Sequence, residues 1–396
     1  MSKLTTVRIG LVGLGNMGRA HRQNIVSGKI PGLELTAVCD RAEALPEPRD
    51  GEAQFTETSD MIASGTVDAI HICTPHFSHA PIGVEALEAG LHVMVEKPLA
   101  VHVADCQKLI DAYEKSSREH PGQVFGAMFN QRTNPLYRKL KDLVDSGELG
   151  TVRRIIWQVT DWFRTEFYYA SGGWRATWKG EGGGVLLNQC PHNLDLFQWI
   201  FGMPDQITGF CNFGRYHQIE VEDDVTAYFR WNDGKNALFV TSTGESPGVN
   251  RLEVAAENGL VVVENGTLTF KRNRIPVSTF SDQSEEAFGT PEVWTMTVPI
   301  ETGNGGQHAE ILQNFTDAIL HGAPLISPAP EGVRSIELAN ATLLSAWQNN
   351  TPIDLPMDAA QYEAELLHRG DTSTFQKRQI DPNRKTTAAD FAKSFK

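Results

Sequence analysis

The chain has 396 residues, 40% apolar and 9% aromatic, with 35 lysines and arginines against 49 aspartates and glutamates and a net charge of −14. This is the composition of a globular protein of two or three domains, and its acidity argues against nucleic-acid and anionic-lipid partners, both of which repel it. Five cysteines at irregular spacings exclude a disulfide framework, no run reaches the ~18 apolar residues of a membrane span, and no export signal precedes Val7, so the expected location is the cytoplasm.

In chain order, Val7–Val12 reads as a strand buried on both faces. It runs into Gly13-Leu14-Gly15-Asn16-Met17-Gly18, a G-x-G-x-x-G turn, and then a helix from Arg19 to about Ser27. In such a turn Gly13 permits the sharp bend, Gly15 lets a pyrophosphate approach the backbone, and Gly18 lets helix and strand pack closely. The helix N-terminus, here Asn16 and Met17, offers the anion its free N–H groups. A second strand, Leu33–Cys39, ends at Asp40, 22 residues past Gly18. An acid at that offset binds the ribose hydroxyls of NAD and repels a 2′-phosphate. Arg41 points both ways, toward adenine stacking or toward a 2′-phosphate; NAD is the first choice and NADP stays open.

Thr56–Ser64 (helix), Val67–Cys73 (strand), Ala80–Ala89 (helix) and His92–Val95 (strand) continue the alternation, which implies a parallel, doubly wound sheet over residues 1–130. Thr74-Pro75 and Glu96-Lys97-Pro98 then fall at its ligand-binding edge, with His76 and His79 flanking it. The two histidines are read as cofactor-loop or surface residues. A metal between them would crowd the cofactor, and no metal site is expected.

From about Gln131 the texture changes. Pro135–Ser146 reads as helix, and Thr151–Asp161, Asp224–Trp231, Asn236–Thr243, Arg251–Glu257 and Leu260–Val263 as strands. Hairpin signals at Glu257-Asn258-Gly259 and Glu264-Asn265-Gly266 predict a mainly antiparallel sheet in a separate α+β domain over 131–375, and 376–396 reads as a polar tail. Residues 157–178 carry eight of the chain's aromatics, Trp162 and Trp174 among them, together with Arg164 and Arg175. They form either a wall for a sugar ring or the cover of a sheet or subunit interface. After Gly182–Gly184 a helix is expected through Trp199, placing Asn188, His192 and Asp195 on one face, with a kink at Pro191. Those polar groups are either a site or a buried network that orients the helix.

Together Gly13–Gly18, Glu96-Lys97-Pro98 and Gly182–Asp195 resemble the Gfo/Idh/MocA oxidoreductases over roughly residues 7–370. The resemblance implies an N-terminal Rossmann domain that binds NAD(P) and a C-terminal α/β domain with a large open sheet used for homodimer or homotetramer contacts. It also implies a sugar, glycoside, anhydrosugar or inositol substrate oxidised or reduced at a hydroxyl carbon. By it Lys97 lies near nicotinamide and substrate, His192 transfers the proton, and Arg132, in the Asn130-Gln131-Arg132 stretch, sits at the domain junction facing substrate or tying the domains. Asn188 stands where many members have aspartate; an amide is no base, so it is left to orient substrate or Lys97. The stretch around Trp174-Arg175 is similar to members that oxidise glucosides and anhydrosugars. Some relatives use transient oxidation to cleave glycosides, and others only sense NAD or sugar; the presence of both Lys97 and His192 weighs against a sensor.

Overall fold

In the computed structural model, which describes residues 5–41, 43 and 45–379, the first sheet is built from β1 (Val7–Val12), β2 (Leu33–Cys39), β3 (Ala53–Phe55), β4 (Ala69–Ile72), β5 (His92–Val95) and β6 (Phe125–Ala127). Helices α1 (Asn16–Val26), α2 (Thr58–Ala63), α3 (His79–Glu88) and α4 (Val103–Glu119) alternate with them. The strand order is β3-β2-β1-β4-β5-β6, and every pairing is parallel. β1 is buried except at Arg8, as a strand covered on both faces must be.

The chain leaves β1 in one direction to β2 and returns on the other side as β4, which opens a crevice at the carboxyl ends of the strands. Register aligns those ends: Val12 pairs with Cys39 and Ile72, and Ile72 with Val95. The residues that follow, Gly13, Asp40, Cys73 and Glu96, therefore emerge along one edge.

The second half adds α5 (Pro135–Asp145), β7 (Val152–Val159), α6 (Glu166–Ser171), α7 (Pro191–Phe201), β8 (Gln206–Phe213), β9 (Glu222–Arg230), β10 (Asn236–Ser242) and β11 (Asn250–Ala256). It continues with β12 (Gly259–Glu264), β13 (Thr267–Asn273), α8 (Val277–Gln283), β14 (Val293–Thr297), α9 (Gln307–His321), α10 (Gly332–Trp347), β15 (Ile353–Asp354) and α11 (Ala359–Thr372). Its nine strands lie in the order β14-β13-β12-β11-β7-β10-β9-β8-β15, antiparallel except for the β7–β10 pair. The two hairpins form as expected, and Asn265 and Gly266 both take positive φ, the conformation an Asn-Gly turn supplies. One face is apolar, with Ile155, Trp157, Val159, Phe229 and Phe239 buried. Helices α7 and α10 pack together, and Phe197 of α7 meets the rings of Phe229 and Phe239 at 5.0 and 6.5 Å.

Helix α9 belongs spatially to the first sheet. Ile311, Leu312 and Phe315 bury against Val7, Ile9 and Leu11, so a late segment completes the cofactor domain's second layer. Beyond residue 379 the polar tail lies outside the described residues.

Candidate active site

The glycine loop has the geometry the motif demands. Gly13 has φ +90°, and a Cβ there would sit 2.8 Å from the carbonyl oxygen of Cys73. A Cβ on Gly18 would come within 1.9 Å of the Gly13 carbonyl oxygen, whereas one on Gly15 would meet open space. Gly15 caps α1 without a side-chain hydrogen bond, and no acid lies in the first turn at Asn16 and Met17. The helix thus keeps donors and a dipole for an anion. Asp40 accepts from Leu14 N at 2.6 Å and Arg41 N at 2.7 Å, bracing the loop while its carboxylate stays at the edge. Arg41 is exposed, 3.7 Å from Glu43. Thr74 has a buried hydroxyl without a partner among the described residues, next to exposed Pro75. A cradle for a diphosphate at the end of β1, a carboxylate for ribose at the end of β2 and an unsatisfied hydroxyl past the end of β4 fit a dinucleotide.

Two histidines and a glutamate assigned to the cofactor have other partners. His79 is fully buried, its ring nitrogens 2.9 Å from Thr74 O and 2.8 Å from Pro98 O; it ties two loops together and is not a surface residue. Glu96 is buried between His21 Nε2, at 2.6 Å, and the Lys97 N–H at 3.2 Å. Burial pushes its carboxyl up, but the His21 hydrogen bond and nearby imidazoles outweigh that and hold it well below the carboxylate range. It anchors the strand end. His76 is buried against Trp174, ring centroids 5.0 Å apart, and 3.4 Å from the carbonyl of Glu181. Two clusters among the described residues bring three ligand-type atoms within 4.8 Å of one another: His21, His71 and Cys73, and His102, Asp105 and Glu363.

Lys97 reaches across the domains and donates to Asn188 O at 3.0 Å. Burial lowers its pKa, Glu96 and Glu181 oppose that, and Arg164 and Arg175 add to it. His192 is kept neutral well below the usual imidazole range, by burial first and Lys97 second; its Nδ1 has no partner among the described residues.

The helix carrying His192 departs from the sequence reading. Residues 182–190 form turns and α7 begins at Pro191. Proline at the first helical position gives up an N–H that would be orphaned anyway, so Pro191 starts the helix and does not kink it. Asn188, His192 and Asp195 consequently share no helical face. The Asn188 amide donates to Glu181 Oε1, and its Oδ1 accepts from Tyr168 Oη at 3.4 Å.

Asp195 turns away, into a bidentate pair with Arg132 at 2.7 and 2.8 Å. Arg132 also donates to Glu331 at 2.6 Å and Ile326 O at 3.2 Å, and its side chain is 1% exposed. Burial disfavours its charge, but the two carboxylates more than compensate. Arg132 ties the junction, its donors shared among Asp195, Glu331 and Ile326 O. Asn130, 1% exposed, donates to Gln307 of α9 at 2.6 Å.

The aromatic segment divides. Trp157, Tyr169 and Trp178 are core residues, while Trp162, Tyr168 and Trp174 stay half-exposed. The Arg175 guanidinium lies 5.0 Å from both Tyr168 and Trp174, and that of Arg164 5.5 Å from Trp162 and 5.3 Å from Tyr168. Sequence reasoning missed Glu181 and Glu222. Glu181 is buried between the Ala176 N–H and the Asn188 amide, and burial pushes its carboxyl up. Glu222 accepts from the Gly184 and Leu186 N–H groups, fixing the glycine turn; burial raises it to about 8 against those bonds. An acid directly before three glycines was the one available signal for Glu181.

The family model described as "Oxidoreductase family, NAD-binding Rossmann fold" matches residues 7–120, and the Gfo/Idh/MocA C-terminal domain model matches 137–262. The chain belongs to the Gfo/Idh/MocA oxidoreductase family. Inositol 2-dehydrogenase of Salmonella paratyphi B is 35% identical over 150 residues, 37% of this chain and 43% of that protein. The match thus spans less than half the length of that curated relative. The WlbA dehydrogenase from Bordetella pertussis, solved with NADH and UDP-GlcNAcA, is 25% identical with a TM-score of 0.73, covering 89% of this chain and 100% of that one. Levoglucosan dehydrogenase, solved with NADH and levoglucosan, shares the fold at 20% identity and a TM-score of 0.71, with 89% and 100% covered.

Proposed function

We propose that the chain is an NAD-dependent dehydrogenase acting on a secondary hydroxyl or keto carbon of a sugar, glycoside, anhydrosugar or inositol. The observation that carries this reading is the meeting of Lys97 and His192 beside the glycine-loop edge, with Lys97 fixed on Asn188 O and close enough to depress the basicity of His192. The inositol and sugar dehydrogenases among its relatives support it.

Residues 13–18 would hold the pyrophosphate and Asp40 the ribose, which favours NAD over NADP; nicotinamide, when bound, accepts or returns the hydride. The protein's own groups handle the proton. A neutral imidazole with a free nitrogen can take the hydroxyl proton as the C–H bond breaks, and the Lys97 ammonium donates to the same oxygen as charge develops on it. The carbon loses hydride with its electron pair, His192 gains the proton, and a ketone remains. Residues 1–130 serve the cofactor, and 131–375 serve the substrate and the subunit contacts of a cytoplasmic homodimer or homotetramer. The free cysteines suit that compartment, and Phe210 and Tyr228, exposed on the second sheet, suit those contacts.

The test is absorbance gained at the reduced-nicotinamide band with NAD, then NADP, across sugars, glucosides, anhydrosugars and inositols. Signal with one subgroup, abolished in Lys97→Ala and His192→Ala, supports the reading. Aglycone release without net NADH points instead to glycoside cleavage.

A further inference from the structure

Resting on the dehydrogenase reading, we infer that the substrate carries a carboxylate and that Arg175 is the residue that receives it. The Arg175 side chain is placed before any ligand arrives. Its guanidinium lies 5.0 Å from the Trp174 ring and 5.0 Å from the Tyr168 ring. It crosses Gly172, where a Cβ would stand 2.7 Å from Arg175 Nη1, so glycine there is what makes room. Aromatic contact holds a guanidinium's plane and leaves its N–H edge for a planar acceptor.

That edge is unused. Among the described residues Arg175 Nε is buried without a hydrogen-bond partner, and none of their carboxylates lies within ion-pairing distance of the side chain. A buried donor left unsatisfied is costly, and in a chain with 14 more acids than bases a charged arginine that forms no ion pair with a described carboxylate is conspicuous. The acid that feels its charge, Glu181, is committed elsewhere, held by the Ala176 N–H and the Asn188 amide.

Arg175 is also joined to the reacting groups. Its partner Tyr168 is 3.4 Å from Asn188 Oδ1, and Asn188 O is 3.0 Å from Lys97 Nζ. Arg164 stacks on the same Tyr168 ring at 5.3 Å, and Lys377 donates to Arg175 O at 2.8 Å. Three cations, Lys97, Arg175 and Lys377, therefore gather around one buried acid, Glu181, and the depressed basicity of Lys97 owes part of its shift to Arg164 and Arg175. A uronic or aldonic acid would relieve that repulsion, its carboxylate accepting two N–H bonds from the Arg175 fork while its hydroxyl carbon lies at Lys97 and His192.

The experiment is calorimetric titration of full-length protein saturated with NADH, which separates binding from turnover. The probes are D-glucuronate against D-glucose, D-gluconate against D-glucitol, and D-galacturonate against D-galactose, with D-glucose 6-phosphate beside them. In at least one pair the acid should bind about tenfold or more tightly than its neutral partner, the size of a charge-assisted hydrogen bond. The preference should vanish in Arg175→Met, which keeps apolar packing on the rings, and return in part in Arg175→Lys. Equal binding within every pair, no binding of any acid, stronger binding of the phosphate, or a preference that survives Arg175→Met would each overturn the inference. Turnover is read separately with NAD. Neutral sugars oxidised without acid preference leave the dehydrogenase standing and remove the carboxylate site; an Arg175-dependent acid preference without NADH formation does the reverse.

Discussion

The Lys97 ammonium donates to the main-chain carbonyl of Asn188 at 3.0 Å, a single hydrogen bond that joins the end of β5 to the turn before α7 across 91 residues of chain. Because a backbone atom accepts it, Asn188→Ala should retain the contact and lose only the links to Glu181 and Tyr168. In the NADH assay kcat should fall about tenfold for Asn188→Ala, against the ~100-fold or greater loss expected when a proton-transfer group is removed in Lys97→Ala or His192→Ala. Equal losses in all three would show that the Asn188 side chain itself acts on substrate.

The pH profile of kcat/KM for oxidation carries the signature of the depressed imidazole. Burial and Lys97 move His192 below 6.5, so the neutral base persists into mildly acidic solution and the acid limb falls below pH 6.5. A midpoint at or above 6.5 would contradict a buried His192 base.

Asp40 has two tasks, bracing Leu14 N at 2.6 Å and facing the cofactor edge. Asp40→Asn should keep an acceptor for the brace while removing the charge that repels a 2′-phosphate. The ratio of kcat/KM for NAD over NADP should fall by at least about tenfold, one charge interaction of roughly 1.4 kcal/mol. An unchanged ratio would move cofactor selection to Arg41.

Removing Arg132 strands buried Asp195, so Arg132→Met should destabilise the protein by ~3–5 kcal/mol in urea unfolding. Folded variant should retain kcat within about twofold, because Arg132 is spent on Asp195, Glu331 and Ile326 O. A collapse of kcat with unchanged stability would restore it to the substrate.

Glu222 gives stability a pH dependence. Its pKa is raised from 4.5 unfolded to about 8 folded, so its contribution is complete below pH 4.5 and is lost as pH rises through 8. Glu222→Gln should flatten that slope, which amounts to a few kcal/mol across the window. An identical slope in the variant would place the titration elsewhere.

Local signals made much of this molecule readable from its sequence. Glycine spacing, strand–helix alternation and Asn-Gly turns act over a few residues, so Gly13–Gly18, the doubly wound sheet and the β11–β12–β13 hairpins were legible. Lys97 and His192 could be named as candidates too, through motifs that fix residue types at fixed spacing. Partner choice was not. Arg132 could be named at the junction, but only packing decided that it spends its donors on Asp195 and Glu331. Helical periodicity in the sequence predicts an earlier start for the helix at Pro191, because it runs on through the turns of residues 182–190, whose beginning Glu222, from a distant strand, holds at the Gly184 N–H. Glu181 beside Asn188, α9 on the first sheet and Arg175 without an ion pair among the described residues are likewise products of the fold. The sequence by itself determined which chemistry is present; which groups meet was decided by burial, since a polar atom taken from water must find whatever partner tertiary packing brings within 3 Å or so.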